Sequence, residues 1–213
     1  GARGGLPHTE DLLEDLSRLI DTARGSAGTP LVLFGHSMGG LIASRFVAEG
    51  LAAHPAPWWC DVDALVLSSP ALDPGMSGAQ KLLLALLGRL APNLAMNNGL
   101  NPAWISRDVA VVRAYVADPL VHDRITPALA RFVVDAGAQV RRVAPAWRVK
   151  TLLLYAGSDR CVAPAGSVAF AAAASPSVTV REFPMLFHEI FNEPERDEVF
   201  AALQSWLDVN ASA

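Results

Sequence analysis

Leu31-Val32-Leu33-Phe34-Gly35-His36-Ser37-Met38-Gly39-Gly40-Leu41-Ile42 reads as an apolar strand turned abruptly into a helix. Four apolar residues in a row at Leu31 to Phe34 suit a strand covered on both faces and paired on both edges. G-x-S-x-G follows at once, with Gly35 and Gly39 two residues either side of Ser37. A serine on so sharp a strand-to-helix turn needs small neighbours, because side chains would collide where the backbone folds back. The turn leaves the Ser37 hydroxyl at a helix N-terminus, where the Met38 amide is placed to donate to a developing oxyanion. The string alone is a weak signal, but its strand-turn-helix context is the one that nucleophilic serine chemistry requires.

Upstream, Leu12, Leu13, Leu16, Leu19 and Ile20 fall at helical spacing between Thr9 and Thr22, with Thr9 as the expected cap and Glu10 and Asp11 in the first turn. Gly25, Gly28 and Pro30 then break the chain. Downstream, strand-like runs recur at Ala64 to Leu67, at Thr151 to Tyr155 and, with alternation that suggests a sheet edge, at Val178 to Phe183. Helical patterns separate them at Leu41 to Leu51, Ser167 to Ala174 and Pro194 to Leu207, the last with Val199, Phe200, Leu203, Trp206 and Leu207 on one side. Strands alternating with helices predict a mostly parallel α/β sheet. From about Leu72 to Arg148 the alternation fails, and this Leu-rich, proline-punctuated stretch reads as an inserted helical cap. The expected divisions are thus 1–71 (core, nucleophile half), 72–148 (cap) and 149–213 (core, second half).

Hydrophobic residues make up 52% of the 213 residues and charged ones 18%, enough to bury a substantial core. A formal charge of -4 gives no cationic excess, which argues against nucleic acid as a partner and points to a small apolar one. Cys60 and Cys161 match no metal-binding spacing, so no metal or other cofactor is expected, and a domain of this size does not need a disulfide. No apolar run reaches the roughly 20 residues that span a bilayer. No signal peptide is legible at Gly1 and a cytoplasmic location is favoured, although Gly1 to Pro7 reads as a loop that something precedes.

A serine hydroxyl becomes nucleophilic when a histidine takes its proton and a carboxylate orients that histidine. Of the five histidines, His36 precedes the serine and is expected to project away from the reacting face. His8 and His54 fall in loops near helix ends, and His122 falls in the cap. His188 follows the last strand and precedes the last helix, at the carboxyl end of the sheet where open α/β folds build their sites. Asp159, on the loop after the third strand, gives the order Ser, Asp, His and is better placed than Asp61, Asp63 or Asp73. Its plainer reading is a turn aspartate. Glu189 reads as making local hydrogen bonds only.

The motifs Gly35 to Gly40 (GHSMGG), Leu67 to Leu72 (LSSPAL), Asp118 to Val121 (DPLV), Gly157 to Arg160 (GSDR) and above all His188 to Arg196 (HEIFNEPER) resemble the monoacylglycerol lipase family, lysophospholipase-like or serine aminopeptidase S33-type hydrolases, over essentially the whole chain. The resemblance implies the α/β-hydrolase fold and hydrolysis of a single acyl ester beneath a mobile apolar cap. It puts Ser37, Asp159 and His188 in the triad positions. That family carries further strands ahead of the nucleophile strand, and a His-Gly segment among them supplies a second oxyanion amide. Those N-terminal strands are expected to lie outside this sequence, leaving Met38 as the one oxyanion donor that carries over.

Leu82, Leu83, Leu84, Leu86, Leu87 and Leu90 occupy nearly every side of one short helix. Two readings stand open: a lid that transiently touches membrane, micelle or acyl chain, or burial against the main domain. Trp104 and Met96 are candidate channel residues on no stronger ground than their composition. A non-catalytic binding protein on the same fold, and an acyltransferase or peptidase on the same scaffold, are the alternatives to an esterase.

Overall fold

The computed structural model describes residues 3–24 and 30–210. In chain order these form α1 (Asp11–Ala23), β1 (Val32–His36), α2 (Ser37–Glu49), β2 (Ala64–Ser68), α3 (Gly78–Leu90), β3 (Met96–Asn97), α4 (Val109–Ala117), β4 (Arg124–Ile125), α5 (Pro127–Val143), β5 (Lys150–Ala156), α6 (Pro164–Ala173), β6 (Val178–Phe183) and α7 (Arg196–Asn210). Short 3-10 turns occupy Pro102–Trp104, Ala144–Ala146 and Ile190–Asn192. The breakers Gly25 and Gly28, and Gly1 and Ala2 of the opening loop, lie outside the described residues.

Four strands pair in parallel in the order β1-β2-β5-β6, the parallel α/β sheet expected from the alternation of strands and helices. Period-two alternation sorts the strand residues between two apolar clusters. Leu65, Leu67, Leu153 and Tyr155 join Leu13 and Ile20 of α1, Leu41 and Phe46 of α2, Phe132 and Val140 of α5 and Phe170 of α6 on one face. Ala64, Val66, Leu152, Leu154 and Ala156 meet Leu186, Ile190, Val199 and Trp206 on the other. The central strands are therefore dry on both sides, as their uninterrupted apolar runs require.

β1 departs from its expected burial. Val32 and Leu33 are half-buried and Phe34 is 48% exposed, and among the described residues the strand pairs only with β2. The open edge agrees with the expectation that the strands beside β1 lie outside this sequence, whereas the exposure of Phe34 departs from the cover on both faces that the apolar run suggested. Phe34 nonetheless meets an aromatic row on one side, edge-on to Phe191 at 5.6 Å, which in turn meets Phe200 of α7 at 5.0 Å. The start of α1 also differs from expectation. Glu10, not Thr9, is the N-cap, and it makes no side-chain cap; Asp11 instead reaches back to accept the His8 amide at 3.0 Å.

Between β2 and β5 the chain makes three long helices and a two-residue antiparallel ribbon, β3 with β4. The N-terminal loop packs on that ribbon: the Thr126 amide donates to the Gly4 carbonyl at 2.9 Å, and a Cβ on Gly4 would lie 2.2 Å from the Arg124 carbonyl oxygen. Among the described residues no helix is long and apolar enough to cross a membrane.

Candidate active site

β1 runs directly into α2, and Ser37 at the junction takes a left-handed backbone, φ 53°. Such a conformation is costly for a side-chain-bearing residue and persists only where the surroundings over-determine it. Here the flanking turns do so. A Cβ on Gly35 would lie 2.6 Å from the Gly39 carbonyl oxygen, and one on Gly40 would meet the Gly35 carbonyl at 2.9 Å and Pro70 at 3.0 Å. Gly39 meets nothing within 4 Å, so the close approach expected of 35 and 39 falls on 35 and 40. The Ser37 carbonyl is held by the Ala71 amide at 2.9 Å, beside Ser69, the other non-glycine residue among those described with a left-handed backbone, φ 40°.

The structure brings Ser37, His188 and Asp159 into one hydrogen-bonded chain. His188 Nε2 lies 2.8 Å from Ser37 Oγ and His188 Nδ1 lies 2.7 Å from Asp159 Oδ2. His188 is buried, and the Asp159 side chain is 2% exposed. The other carboxylate oxygen, Asp159 Oδ1, accepts the amides of Cys161 at 2.8 Å and Val162 at 3.1 Å. This turn role and the His188 contact coexist in one side chain. Met38 is the second residue of α2, so its amide is one of the first-turn donors that have no intrahelical acceptor.

The competing residues are placed elsewhere. His8, His54 and His122 are exposed, and the His122 imidazole accepts the Arg124 amide at 3.2 Å. Asp63 accepts the Leu31 amide, Asp73 accepts the Gly75 amide, and Glu189 takes a local bond from Asn192.

His36 does not project away. Its ring lies 4.8 Å from that of His188, and its Nδ1 is 3.0 Å from Ser68 Oγ. Burial, reinforced by the neighbouring His188, lowers the His36 pKa to about 4, so the ring is neutral through the physiological range. Strand alternation carried the signal: Val32, Phe34 and His36 share one face, and that face looks onto the loop that bears Phe191 and His188.

Asp159, Cys161 and His188 each offer one ligand atom within 4.8 Å of the others, the grouping among the described residues suited to a metal ion. The Asp159 and His188 atoms already face each other across a hydrogen bond. Burial, then the carboxylates of Asp159 and Glu189, push the Cys161 thiol up to about 12, so it stays a protonated, weakly polar neighbour rather than a thiolate. Cys60 is likewise a free thiol.

The family described as serine aminopeptidase, S33 matches residues 1–195. A monoacylglycerol lipase of Mycolicibacterium smegmatis is 34% identical over 212 residues, covering 97% of this chain and 72% of the relative. An abhydrolase domain-containing protein of Dictyostelium discoideum is 29% identical over 97% of this chain, which spans only 22% of that longer protein. Among solved structures, the monoacylglycerol lipase of Paleococcus ferrophilus superposes with a TM-score of 0.78 at 33% identity, covering 92% of this chain and 74% of that one.

Proposed function

The chain belongs to the serine aminopeptidase S33 family and is a carboxylic-ester hydrolase of the monoacylglycerol lipase kind; from that premise we propose that it cleaves single-acyl lipid esters through an acyl-enzyme on Ser37. The observation that carries this reading is the unbroken Ser37–His188–Asp159 chain at the N-terminus of α2. His188 Nε2 takes the Ser37 proton as Oγ attacks the ester carbonyl, and Asp159 holds the imidazole in the tautomer with its proton on Nδ1. The Met38 amide donates to the oxygen that gains negative charge. As the tetrahedral species collapses, His188 returns the proton to the departing alcohol. A water then repeats the sequence on the acyl-enzyme and releases the fatty acid.

Ser37→Ala removes the nucleophile without adding bulk at the turn. Turnover of a p-nitrophenyl ester is expected to fall by about four to six orders of magnitude, because triad members act as one unit. Retention of more than a few per cent of the parent rate would sink the assignment, and comparing acyl esters with matched amides separates esterase from peptidase.

The exposure of Leu82, Leu83, Leu86 and Leu90 supports contact between α3 and a lipid aggregate. Changing Leu82 and Leu86 to Ser should lower turnover of micellar monoacylglycerol and leave that of a soluble short-chain ester unchanged. Equal effects on both substrates would remove α3 from substrate capture.

A further inference from the structure

Resting on that reading, we propose that Glu193 is a positioning residue that ties the His188 loop to the insertion and so sets the imidazole against Ser37. The Glu193 side chain is fully buried and takes four donors. Its Oε1 accepts Ser106 Oγ and the Arg107 amide, each at 2.6 Å. Its Oε2 accepts Arg107 Nε at 2.6 Å and the Phe187 amide at 3.0 Å. Phe187 immediately precedes His188. Glu189, immediately after it, donates its amide to the Ile105 carbonyl at 2.7 Å. The backbone on both sides of His188 is thereby fastened to residues 105–107, once directly and once through Glu193.

Four donors fill the acceptor capacity of one ionised carboxylate. Burial alone would push the Glu193 pKa up, but the bonds from Ser106, Arg107 and the Phe187 amide outweigh it and hold the acid below the ordinary carboxylate range. Arg107 also pairs with Glu195 on the surface, so the start of α4 and the segment after His188 form one charged knot. His188 has little freedom of its own, since Nδ1 and Nε2 both have assigned partners and the ring abuts His36. Its placement is therefore set by where residues 187 and 189 hold the main chain. A displacement of the insertion near 105–107 is transmitted to the base, which couples this part of the insertion to the competence of Ser37.

Glu193→Gln keeps the shape but turns an amide N–H₂ toward donors, so two of the four bonds lose their acceptor. In the full chain, the fluorophosphonate labelling rate at Ser37 and the p-nitrophenyl ester kcat, read well below each variant's Tm, should fall about 10- to 100-fold, the cost of a small misplacement. KM should change little. Arg107→Lys, which keeps the charge and loses the fork, should fall less. Phe170→Leu, a core change remote from this knot, serves as a control for lost stability and should label at the parent rate. Labelling of Glu193→Gln at the parent rate would overturn the proposal, as would an equal slowing in Phe170→Leu. If Glu193→Gln does not fold, Ser106→Ala removes a single donor and should slow labelling about threefold or more, and an unchanged rate there overturns it equally. A parent protein that does not label at Ser37 overturns the proposed function itself, whereas a reactive parent with an undiminished Glu193→Gln overturns this inference alone.

Discussion

α3 and α5 both lie between β2 and β5 and are both rich in apolar residues, yet they end in opposite environments. α5 buries Leu129, Phe132, Ala136, Gly137 and Val140, spaced along one stripe, and joins the cluster beneath the sheet. α3 buries only Leu84, while Leu82 and Leu90 are exposed at 74% and 75%. Its ends are nonetheless well made, with Ser77 and Gln80 closing a capping box. Apolar content is similar, but the arrangement differs. A stripe can be covered by one neighbouring surface, whereas leucines distributed around a helix cannot all find one.

The largest expected contrast is in core deletion. Phe132→Ala should cost about 3 to 5 kcal/mol in denaturant unfolding, and Leu86→Ala, from the exposed side of α3, less than about 0.5 kcal/mol. Similar losses at both sites would erase the distinction.

Acid should separate the two helices next. The folded-state pKa of His36 lies near 4, below the unfolded value of 6.5, so between these values the unfolded chain binds the extra proton. The stability this confers is complete above pH 6.5 and drains away as pH falls toward 4, by up to about 3 kcal/mol. Glu193, with its depressed pKa, acts in a lower window, losing its contribution only as pH drops below the ordinary carboxylate range. Global opening, read by amide exchange in α5, should rise through the His36 window, and α3 should show no change beyond the intrinsic rate. His36→Asn should flatten the slope; an unaltered slope would assign the acid sensitivity to other groups.

The finest test uses one substitution with opposite signs. A Cβ on Gly137 of α5 would lie 2.4 Å from the Leu72 carbonyl oxygen, whereas one on Gly88 of α3 meets only Arg131 Cδ at 3.9 Å. Gly88→Ala should therefore raise stability by up to about 1 kcal/mol through helix propensity. Gly137→Ala should lower it by about 1 to 2 kcal/mol despite the same propensity gain. A gain at both positions would mean that α5 packs less closely than described.

Much of this architecture was legible from patterning. β2, β5 and β6 follow apolar or alternating runs, and the positions of Ser37, Asp159 and His188 follow from which strand ends precede them. What escaped has physical reasons. The β3–β4 ribbon is two residues long in each strand, too short to carry a period. The open edge of β1 was legible, because the strands beside it were expected to lie outside this sequence, but the exposure of Phe34 was not, because an apolar run states a preference and not what lies opposite. His36 was legible in principle through the alternation with Val32 and Phe34. The four bonds of Glu193 were not, since Ser106 and Arg107 lie 87 and 86 residues away and only the folded chain brings them together.

The Ser37–His188 hydrogen bond joins residues 151 positions apart, across a sheet in which every neighbouring pair is parallel. Such contacts close large loops and form late in folding, since local helices gain nothing from them. Turnover should consequently be the last signal to return on refolding, trailing far-ultraviolet circular dichroism, so that a refolding yield judged by helix content alone would overcount the working enzyme.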